Sequence, residues 1–215
     1  MRIGFDAKRA FNNTRGLGNY SRDTIRILTT QHPDNQYDLF TPAKRNDILF
    51  TLPDNSSVVL PGSFFGRTFP SFWRTFSLAK LAEKSNLDIY HGLSHELPLG
   101  IEKTRVKSVV TMHDLIFLKF PNLYPFIDRK LYKKKYLHSC GVANHIIATS
   151  EQTKRDLVEL ARIPEDKITV VYQGCNPVFN HEVSLAQKAR VREKYCLPAQ
   201  FILNVGALEK RKNQL

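Results

Sequence analysis

The chain has 215 residues, of which 42% are hydrophobic and 24% charged, and it contains 14 Phe and 8 Tyr. This composition is typical of a globular protein with a large buried core, and it excludes an intrinsically disordered chain. No run approaches the roughly 18 apolar residues of a membrane-spanning helix, and the first residues lack an apolar signal region. We therefore expect a cytoplasmic protein.

The chain is strongly basic, with 32 Lys and Arg against 20 Asp and Glu, a formal net charge of +12 and an isoelectric point near 9.7. This excess indicates an anionic partner, but it leaves nucleic acid, acidic lipid and phosphorylated small molecules open. The three cysteines are odd in number and far apart, which fits neither a disulfide framework nor a zinc site. We interpret them as free thiols.

Short apolar runs alternate with longer helical stretches along the chain. The predicted strands are residues 2–6, 36–41, 57–60, 87–91, 106–112, 145–149, 168–172 and 201–206. The predicted helices are residues 19–31, 70–85, 125–143, 151–161 and 184–195. Nearly unbroken apolar runs such as 108–112 are typical of strands covered on both faces. The pattern therefore predicts an α/β protein with a doubly wound, mostly parallel, Rossmann-like sheet, whose ligands bind beyond the carboxyl ends of the strands.

A glycine loop follows the first strand. Gly16 and Gly18 precede a predicted helix, so free backbone N–H groups at the helix start suit a phosphate or a sugar hydroxyl. A dinucleotide fingerprint is not formed, because Ser21 replaces its third glycine and no acidic residue ends the second strand. A simple turn remains the alternative for this loop.

A histidine and an acid follow the strand that ends at Met112. His113 is placed to donate to, or polarise, a bound group near neutral pH, and Asp114 stands beside it. A structural histidine at a strand end remains the alternative. No Ser or Cys nucleophile motif lies nearby to complete a catalytic triad.

A second polar loop follows the strand 87–91 and contains His95 and Glu96. A zinc site of the H-E-x-x-H type is rejected here, because Leu99 stands where the second histidine is required. We predict no metal at this loop, and we expect its polar side chains to contact the substrate.

The chain ends with the predicted strand 201–206, a glycine and two adjacent cations, Arg211 and Lys212. Backbone N–H groups and fixed positive charge that converge after a strand are a common way to bind a phosphate. We therefore predict one complete domain, residues 1–180, and a linker with the first strand of a second domain, residues 181–215.

In their order and spacing, four segments resemble the retaining glycosyltransferases of GT-B architecture, in particular glycosyltransferase family four, also called glycosyl transferases group 1. The segments are residues 15–20, 110–115, 148–157 with 166–174, and 203–213. The resemblance implies that the first domain binds the acceptor and that the second, donor-binding domain continues after residue 215.

The resemblance also implies an activity. It is the transfer of a sugar, with retention, from a nucleotide-diphosphate sugar to a saccharide or lipid-linked acceptor in polysaccharide or glycoconjugate synthesis. The nucleotide sugar is then a co-substrate, so no cofactor is implied. No metal is implied either, which agrees with the lack of an Asp-x-Asp cluster in the sequence.

The roles of individual residues follow from the resemblance by position. Gly16 and Gly18 would lie near the donor diphosphate, and His113 would be the catalytic residue beside the transferred sugar. Arg211 and Lys212 would neutralise the leaving diphosphate, whose negative charge grows as the glycosidic bond breaks. The expected acceptor or cleft contacts are Tyr20, His95, Glu96 and Asp114.

The paired glutamates with which this family holds the donor would lie beyond residue 215, so these 215 residues are expected to be inactive alone. Two alternatives remain, a non-catalytic carbohydrate-binding domain and a basic nucleic-acid-binding α/β domain. The cations are dispersed, without a recognition helix or stacking platform, and we therefore predict no nucleic-acid partner.

Two segments combine cations with aromatic residues. Residues 129–136 place five cations and two aromatics on one predicted helix, and residues 64–76 mix bulky aromatics with arginines. Such segments are typical of surfaces that lie on anionic membranes; the alternatives are a solvated basic face for the helix and a place in the core for the aromatic residues around Trp73. The sequence therefore predicts a peripheral contact with the cytoplasmic face of a membrane.

Overall fold

A computed structural model of the chain describes residues 1–43 and 51–206. The strands are β1 (Arg2–Asp6), β2 (Gln36–Phe40), β3 (Ser56–Val59), β4 (Ile89–Gly92), β5 (Lys107–Met112), β6 (His145–Ala148) and β7 (Ile168–Val170). The helices are α1 (Lys8–Asn12), α2 (Gly16–Gln31), α3 (Phe64–Thr68), α4 (Pro70–Phe76), α5 (Leu78–Lys84), α6 (Ile116–Lys119), α7 (Phe126–Val142), α8 (Glu151–Ala161) and α9 (Leu185–Lys194).

The described strands form one seven-stranded sheet in the order β3-β2-β1-β4-β5-β6-β7, and all six neighbouring pairs are parallel. Strands β2 and β3 lie on one side of β1, and β4 to β7 lie on its other side. The order therefore reverses between β1 and β4, where such sheets form a crevice at their carboxyl edge. The predicted doubly wound α/β fold is confirmed.

The core lies on both faces of the sheet. One cluster of buried side chains joins Phe5 and Leu39 of the sheet to Ile25 of α2. The larger cluster includes Tyr90 and Val110, and it extends to α5, α7 and α8. Because helices cover both faces of these parallel strands, few strand residues face solvent. This explains the apolar runs in the sequence.

Helix α8 begins and ends where the sequence predicts. The Ser150 hydroxyl accepts a hydrogen bond from the Thr153 N–H at 3.1 Å, and Glu151 places an acidic side chain in the first turn. Both features stabilise a helix amino terminus. At the other end Arg162 adopts a left-handed conformation (φ 57°), which closes the helix.

One sequence-based prediction of an element is wrong, and a second stays a prediction. The single helix predicted over residues 70–85 is divided at Ser77 (φ −103°), where α4 ends and α5 begins. The strand predicted over residues 201–206, as the first strand of a second domain, has no strand pairing among the described residues and stays a prediction. Its side chains are exposed, Ile202 fully so, and an apolar run becomes a strand only where a neighbouring strand accepts its hydrogen bonds.

The chain divides into two compact units, Met1–Gly174 and Cys175–Leu215. The first contains the whole sheet, and the second contains α9, whose start is capped by reciprocal hydrogen bonds between Ser184 and Gln187. That the second unit opens a donor-binding domain stays a prediction. None of the described helices is long and apolar enough to cross a membrane.

Candidate active site

The candidate site lies at the carboxyl edge of the sheet, where β1, β4 and β5 end side by side. Asp6 ends β1, the loop after β4 begins at Leu93, and His113 follows β5 directly. Parallel strands bring their carboxyl ends to one edge, so residues distant in sequence meet there. Except for Arg211 and Lys212, the site residues belong to the first compact unit.

His113 is held by hydrogen bonds that define its tautomer. Its Nε2 lies 3.0 Å from the Leu93 carbonyl oxygen, which can only accept, so Nε2–H is the donor. Its Nδ1 accepts a hydrogen bond of 3.1 Å from the side-chain amide of Gln173. Burial lowers the pKa of His113, against smaller opposing effects of the Leu93 carbonyl and the neighbouring Asp114. The imidazole is therefore neutral at pH 7, with Nδ1 as its acceptor.

The backbone beside His113 is fixed from the next strand. Its carbonyl oxygen accepts hydrogen bonds from the hydroxyl groups of Thr149, at 3.1 Å, and Thr153, at 2.9 Å. Thr149 follows β6, and Thr153 lies in the first turn of α8. The position of His113 is thus tied to the amino terminus of a well-capped helix.

Tyr20 packs against this histidine. The two rings meet edge to face, with centroids 4.6 Å apart, and the Tyr20 hydroxyl forms a hydrogen bond of 3.0 Å with Thr111 Oγ1. The same hydroxyl of Thr111 lies 2.8 Å from His91 Nε2. Burial, and secondarily the nearby His113, lower the pKa of His91 to about 4. Burial also raises the pKa of Tyr20, so this group of side chains is uncharged at neutral pH.

His95 adopts a left-handed backbone conformation, with φ of 64°. Its ring stacks on Tyr136 of α7, with centroids 4.5 Å apart and planes 14° apart, and lies 5.0 Å from the His113 ring. Burial lowers the pKa of His95 well below its usual value, and His113 and Arg9 add to the effect. A non-glycine residue in this conformation is held by its surroundings, which is a common property of functional loops.

Glu96 belongs to a chain of alternating charges. Arg74 of α4 donates from Nε to Asp6 Oδ2 at 3.1 Å, and its Nη2 lies 3.4 Å from Glu96 Oε2. Glu96 Oε1 in turn accepts from Lys135 Nζ at 3.1 Å. Although burial opposes its charge, Asp6 and Glu96 raise the pKa of Arg74. The network fixes the Glu96 carboxylate between two cations at the site edge.

Asp114 forms a hydrogen bond with the backbone of the turn that follows it. Its Oδ1 accepts a hydrogen bond of 3.2 Å from the Ile116 N–H at the start of α6. Asp114 therefore orders the turn after His113, in addition to favouring the protonated form of that imidazole.

The two glycines of the amino-terminal loop differ in their surroundings. A Cβ atom on Gly18 would lie 1.8 Å from the carbonyl oxygen of Asn13, so close backbone approach requires glycine there. A Cβ on Gly16 would meet nothing within 4 Å. The Arg22 guanidinium holds the loop by donating to the Asn13 and Ala10 carbonyl oxygens at 2.8 and 2.9 Å. Gly18 thus has a structural role, whereas Gly16 is open to a ligand.

A cavity of about 600 Å³ lies between α2 and one face of the sheet. Its walls are mainly apolar, and its polar lining includes Asn19, Tyr20, His91 and Gln173, with Gly16 at the loop. Gly16 of the glycine loop and His91 therefore border one continuous space, and Tyr20, which also lines it, packs against the His113 ring.

Arg211 and Lys212, predicted to neutralise a diphosphate, lie outside the described residues. Within residues 1–43 and 51–206 no group of three or more His, Cys, Asp or Glu side chains is arranged to hold a metal ion.

Several residues of the site were not singled out from the sequence. Asp6 carries a usable signal, because it is an acid at the carboxyl end of a buried strand. Arg74 lies among aromatic residues and Tyr136 in a basic helix. The sequence around them does not indicate that Arg74 pairs with Asp6 or that Tyr136 stacks on His95. Thr111 is hidden inside an apolar strand.

The parallel sheet with a polar, histidine-containing carboxyl edge defines a Rossmann-like ligand-binding domain. The family model for Glycosyltransferase Family 4 matches residues 14–179. Since this match covers most of the chain, the protein belongs to glycosyltransferase family 4, and the resemblance inferred from its motifs is confirmed.

Similar curated proteins include two mannosyltransferases from Escherichia coli. The O-antigen chain mannosyltransferase B is 32% identical over 127 residues, which cover 58% of this chain and 32% of that protein. The serotype-specific mannosyltransferase WbdA is 28% identical over 131 residues, which cover 57% of this chain and 15% of that protein. The matched part is thus about a third or less of these relatives.

Solved glycosyltransferases of GT-B architecture share the fold. HepE from Anabaena, solved with UDP-glucose, matches with a TM-score of 0.59 and 14% identity, over 91% of this chain and 50% of that protein. A glycosyltransferase from Rickettsia africae matches with a TM-score of 0.56 and 18% identity, over 92% and 50% of the two chains. The chain spans about half the length of these structures.

Proposed function

We propose that this chain is the acceptor-side domain of a retaining glycosyltransferase. The enzyme moves a sugar, mannose being favoured by the named relatives, from a nucleotide-diphosphate sugar to a saccharide or lipid-linked acceptor. The observation that carries the proposal is the neutral His113 at the carboxyl end of β5, inside the region matched by the family model. The likeness to a fold solved with UDP-glucose supports a nucleotide-sugar donor.

The proposed chemistry depends on the tautomer of His113. With Nε2–H donated to Leu93, the acceptor nitrogen Nδ1 is occupied by the exposed amide of Gln173. A hydroxyl group of the donor sugar can replace that amide at a small cost in free energy. The displaced amide of Gln173 is exposed and forms hydrogen bonds with water instead. His113 Nδ1 then orients the sugar by accepting a hydrogen bond from its hydroxyl group, and the Tyr20 ring, packed edge to face against the imidazole, limits rotation of the imidazole.

The remaining site residues have supporting roles in this proposal. Gly16, and the loop that Gly18 allows, lie against the donor diphosphate, whose leaving charge Arg211 and Lys212 neutralise without a metal ion. The acceptor is bound along the edge formed by Tyr20, His95, Glu96 and Asp114. The protein acts in the cytoplasm, in polysaccharide or glycoconjugate synthesis. These 215 residues alone do not catalyse the transfer.

The test uses this chain extended through a complete second domain, assayed with UDP-glucose and GDP-mannose. His113→Ala is expected to lower turnover by about 100-fold, the scale for one positioned polar group, without loss of folding. His145→Ala removes a histidine at the amino end of β6, the opposite edge of the sheet, and is the matched control. Normal turnover in a folded His113→Ala protein would contradict the assignment of this residue. No transfer from either donor by the unaltered protein would contradict the function.

A further inference from the structure

An exposed group of aromatic rings lies on α3 and α4. We define the aromatic patch as Phe65, Phe69, Phe72 and Phe76. Ring centroids lie 4.5 to 5.2 Å apart in the pairs Phe65–Phe69, Phe65–Phe72 and Phe72–Phe76, so the rings form one continuous surface. Each of the four is between 47% and 52% exposed. Contiguous exposed apolar rings of this kind mark an interaction surface.

Helix α7 presents a second exposed surface in its first three turns. Phe126, Lys130 and Lys134 recur at a spacing of four and share one helix face, which we call the basic face. Lys130 Nζ lies 4.4 Å from the Phe126 ring centroid, and the neighbouring Ile127 is 78% exposed. Apolar side chains with long cationic ones beside them suit a boundary between an apolar phase and water.

The two surfaces are continuous. A depression of about 270 Å³ is lined by Phe76 and Leu99 together with Leu131 and Lys134 of α7. The Leu99 N–H donates to the Thr75 carbonyl oxygen at 2.8 Å, which fixes this loop to the end of α4. The aromatic patch and the basic face therefore form one surface.

The charge of this surface is mainly positive, although Asp128 lies in the first turn of α7 and Glu96, paired with Lys135, lines the depression. Residues 64–76 contain no Asp or Glu. In the part of the chain that the structure describes, Lys130, Lys133 and Lys134 form no ion pair. Two copies of the chain that met symmetrically through this surface would bring these cations together, which opposes a dimer.

We propose that the aromatic patch and the basic face dock the protein on an anionic lipid bilayer. The phenylalanine rings enter the boundary of the acyl chains, and the lysines lie at the headgroup phosphates. This inference goes beyond the proposed sugar transfer, because the four rings of the aromatic patch and the residues of the basic face have no role assigned in the reaction. The two proposals can therefore fail separately.

The test measures sedimentation of the 215-residue chain with vesicles of equal parts phosphatidylglycerol and phosphatidylcholine, and with phosphatidylcholine alone. Binding is expected to the anionic vesicles and to weaken in high salt. Phe72→Ser with Phe76→Ser, and separately Lys130→Glu with Lys134→Glu, are each expected to lower the partition coefficient by about tenfold or more. Thermal unfolding checks that both variants remain folded.

The matched control is Lys84→Glu with Lys107→Glu. It changes the net charge by the same amount, but these exposed lysines lie at the end of α5 and at the amino end of β5, away from the surface. Retained binding of this control supports the proposal. An equal loss in control and test variants would overturn it, since binding would then depend on net charge alone.

Trp73 supplies an independent readout, because it is the one tryptophan of the chain and lies in α4 next to Phe72. Lipids brominated near the headgroup end of their acyl chains are expected to quench its fluorescence on binding. Equal quenching in Phe72→Ser with Phe76→Ser would mean that the aromatic patch is not the surface that docks. Absence of binding to anionic vesicles, or a concentration-dependent dimer that Phe72→Ser with Phe76→Ser abolishes, would also overturn the proposal.

Discussion

The substitution His91→Gln is expected to change how the stability of the fold depends on pH. Burial, with a smaller effect of His113, holds the pKa of His91 near 4, against 6.5 for an unperturbed histidine. In the unfolded chain the same imidazole takes up a proton as the pH falls through 6.5, while the folded chain stays unprotonated until about pH 4. Acid therefore favours unfolding within this window.

The magnitude follows from these two pKa values. Between pH 7 and pH 5 the proton uptake of the unfolded state costs the native state about 2 kcal/mol from His91 alone. The glutamine amide can replace the hydrogen bond to Thr111 but cannot titrate. The free energy of unfolding of His91→Gln should thus fall by about 2 kcal/mol less than that of the wild-type chain over this range. His95, whose pKa is also lowered by burial, contributes to the acid sensitivity of both proteins.

Urea unfolding at pH 7, 6 and 5, followed by the fluorescence of Trp73, measures this difference. His32→Gln removes an exposed histidine and is the control, in which the acid sensitivity contributed by His91 should persist. Equal loss of stability in the wild-type chain and His91→Gln would refute the reasoning, because the imidazole would then bind its proton equally well in the folded chain.

Three further predictions concern the loop, the buried charges and the thiols. Gly18→Ala should lower the free energy of unfolding by about 1–3 kcal/mol in urea titrations, because its Cβ would lie 1.8 Å from a carbonyl oxygen, whereas Gly16→Ala should leave stability nearly unchanged. Arg74→Met should cost about 3–5 kcal/mol by leaving the Asp6 carboxylate buried and unpaired, and adding Asp6→Asn should recover part of this loss; a double variant as unstable as the sum of the single ones would contradict the pairing. Burial raises the pKa of the Cys140 thiol to about 12, so at pH 8 an aromatic disulfide reagent should modify two thiols rapidly and the third only after denaturation.

Features encoded in short segments could be predicted from the sequence. Apolar runs such as residues 108–112 indicate strands covered on both faces, and the strand predicted at residues 2–6 is observed with the same bounds. The bounds of α8 follow from the Ser150 cap and the amphipathic stretch after it. Propensity, capping and hydrophobic period act over a few residues, so the sequence displays them directly.

The position of the candidate site also follows from the sequence, because parallel strands bring their carboxyl ends to one edge. His113 and Gly16 each follow a strand of the sheet, and Tyr20 of the helix that begins at Gly16 packs against the His113 ring. By contrast, the run at residues 201–206 resembles a strand but is exposed, since strand formation depends on a neighbour rather than on composition.

The chemical state of the site was decided by the tertiary structure. Arg74 meets Asp6 across 68 positions of sequence, and Tyr136 stacks on His95 from a separate helix. The neutral state of His113 arises from its burial, and no local sequence motif indicates it. Hydrogen-bond pairing and desolvation depend on which distant segments meet, and the local pattern of residues does not contain that information.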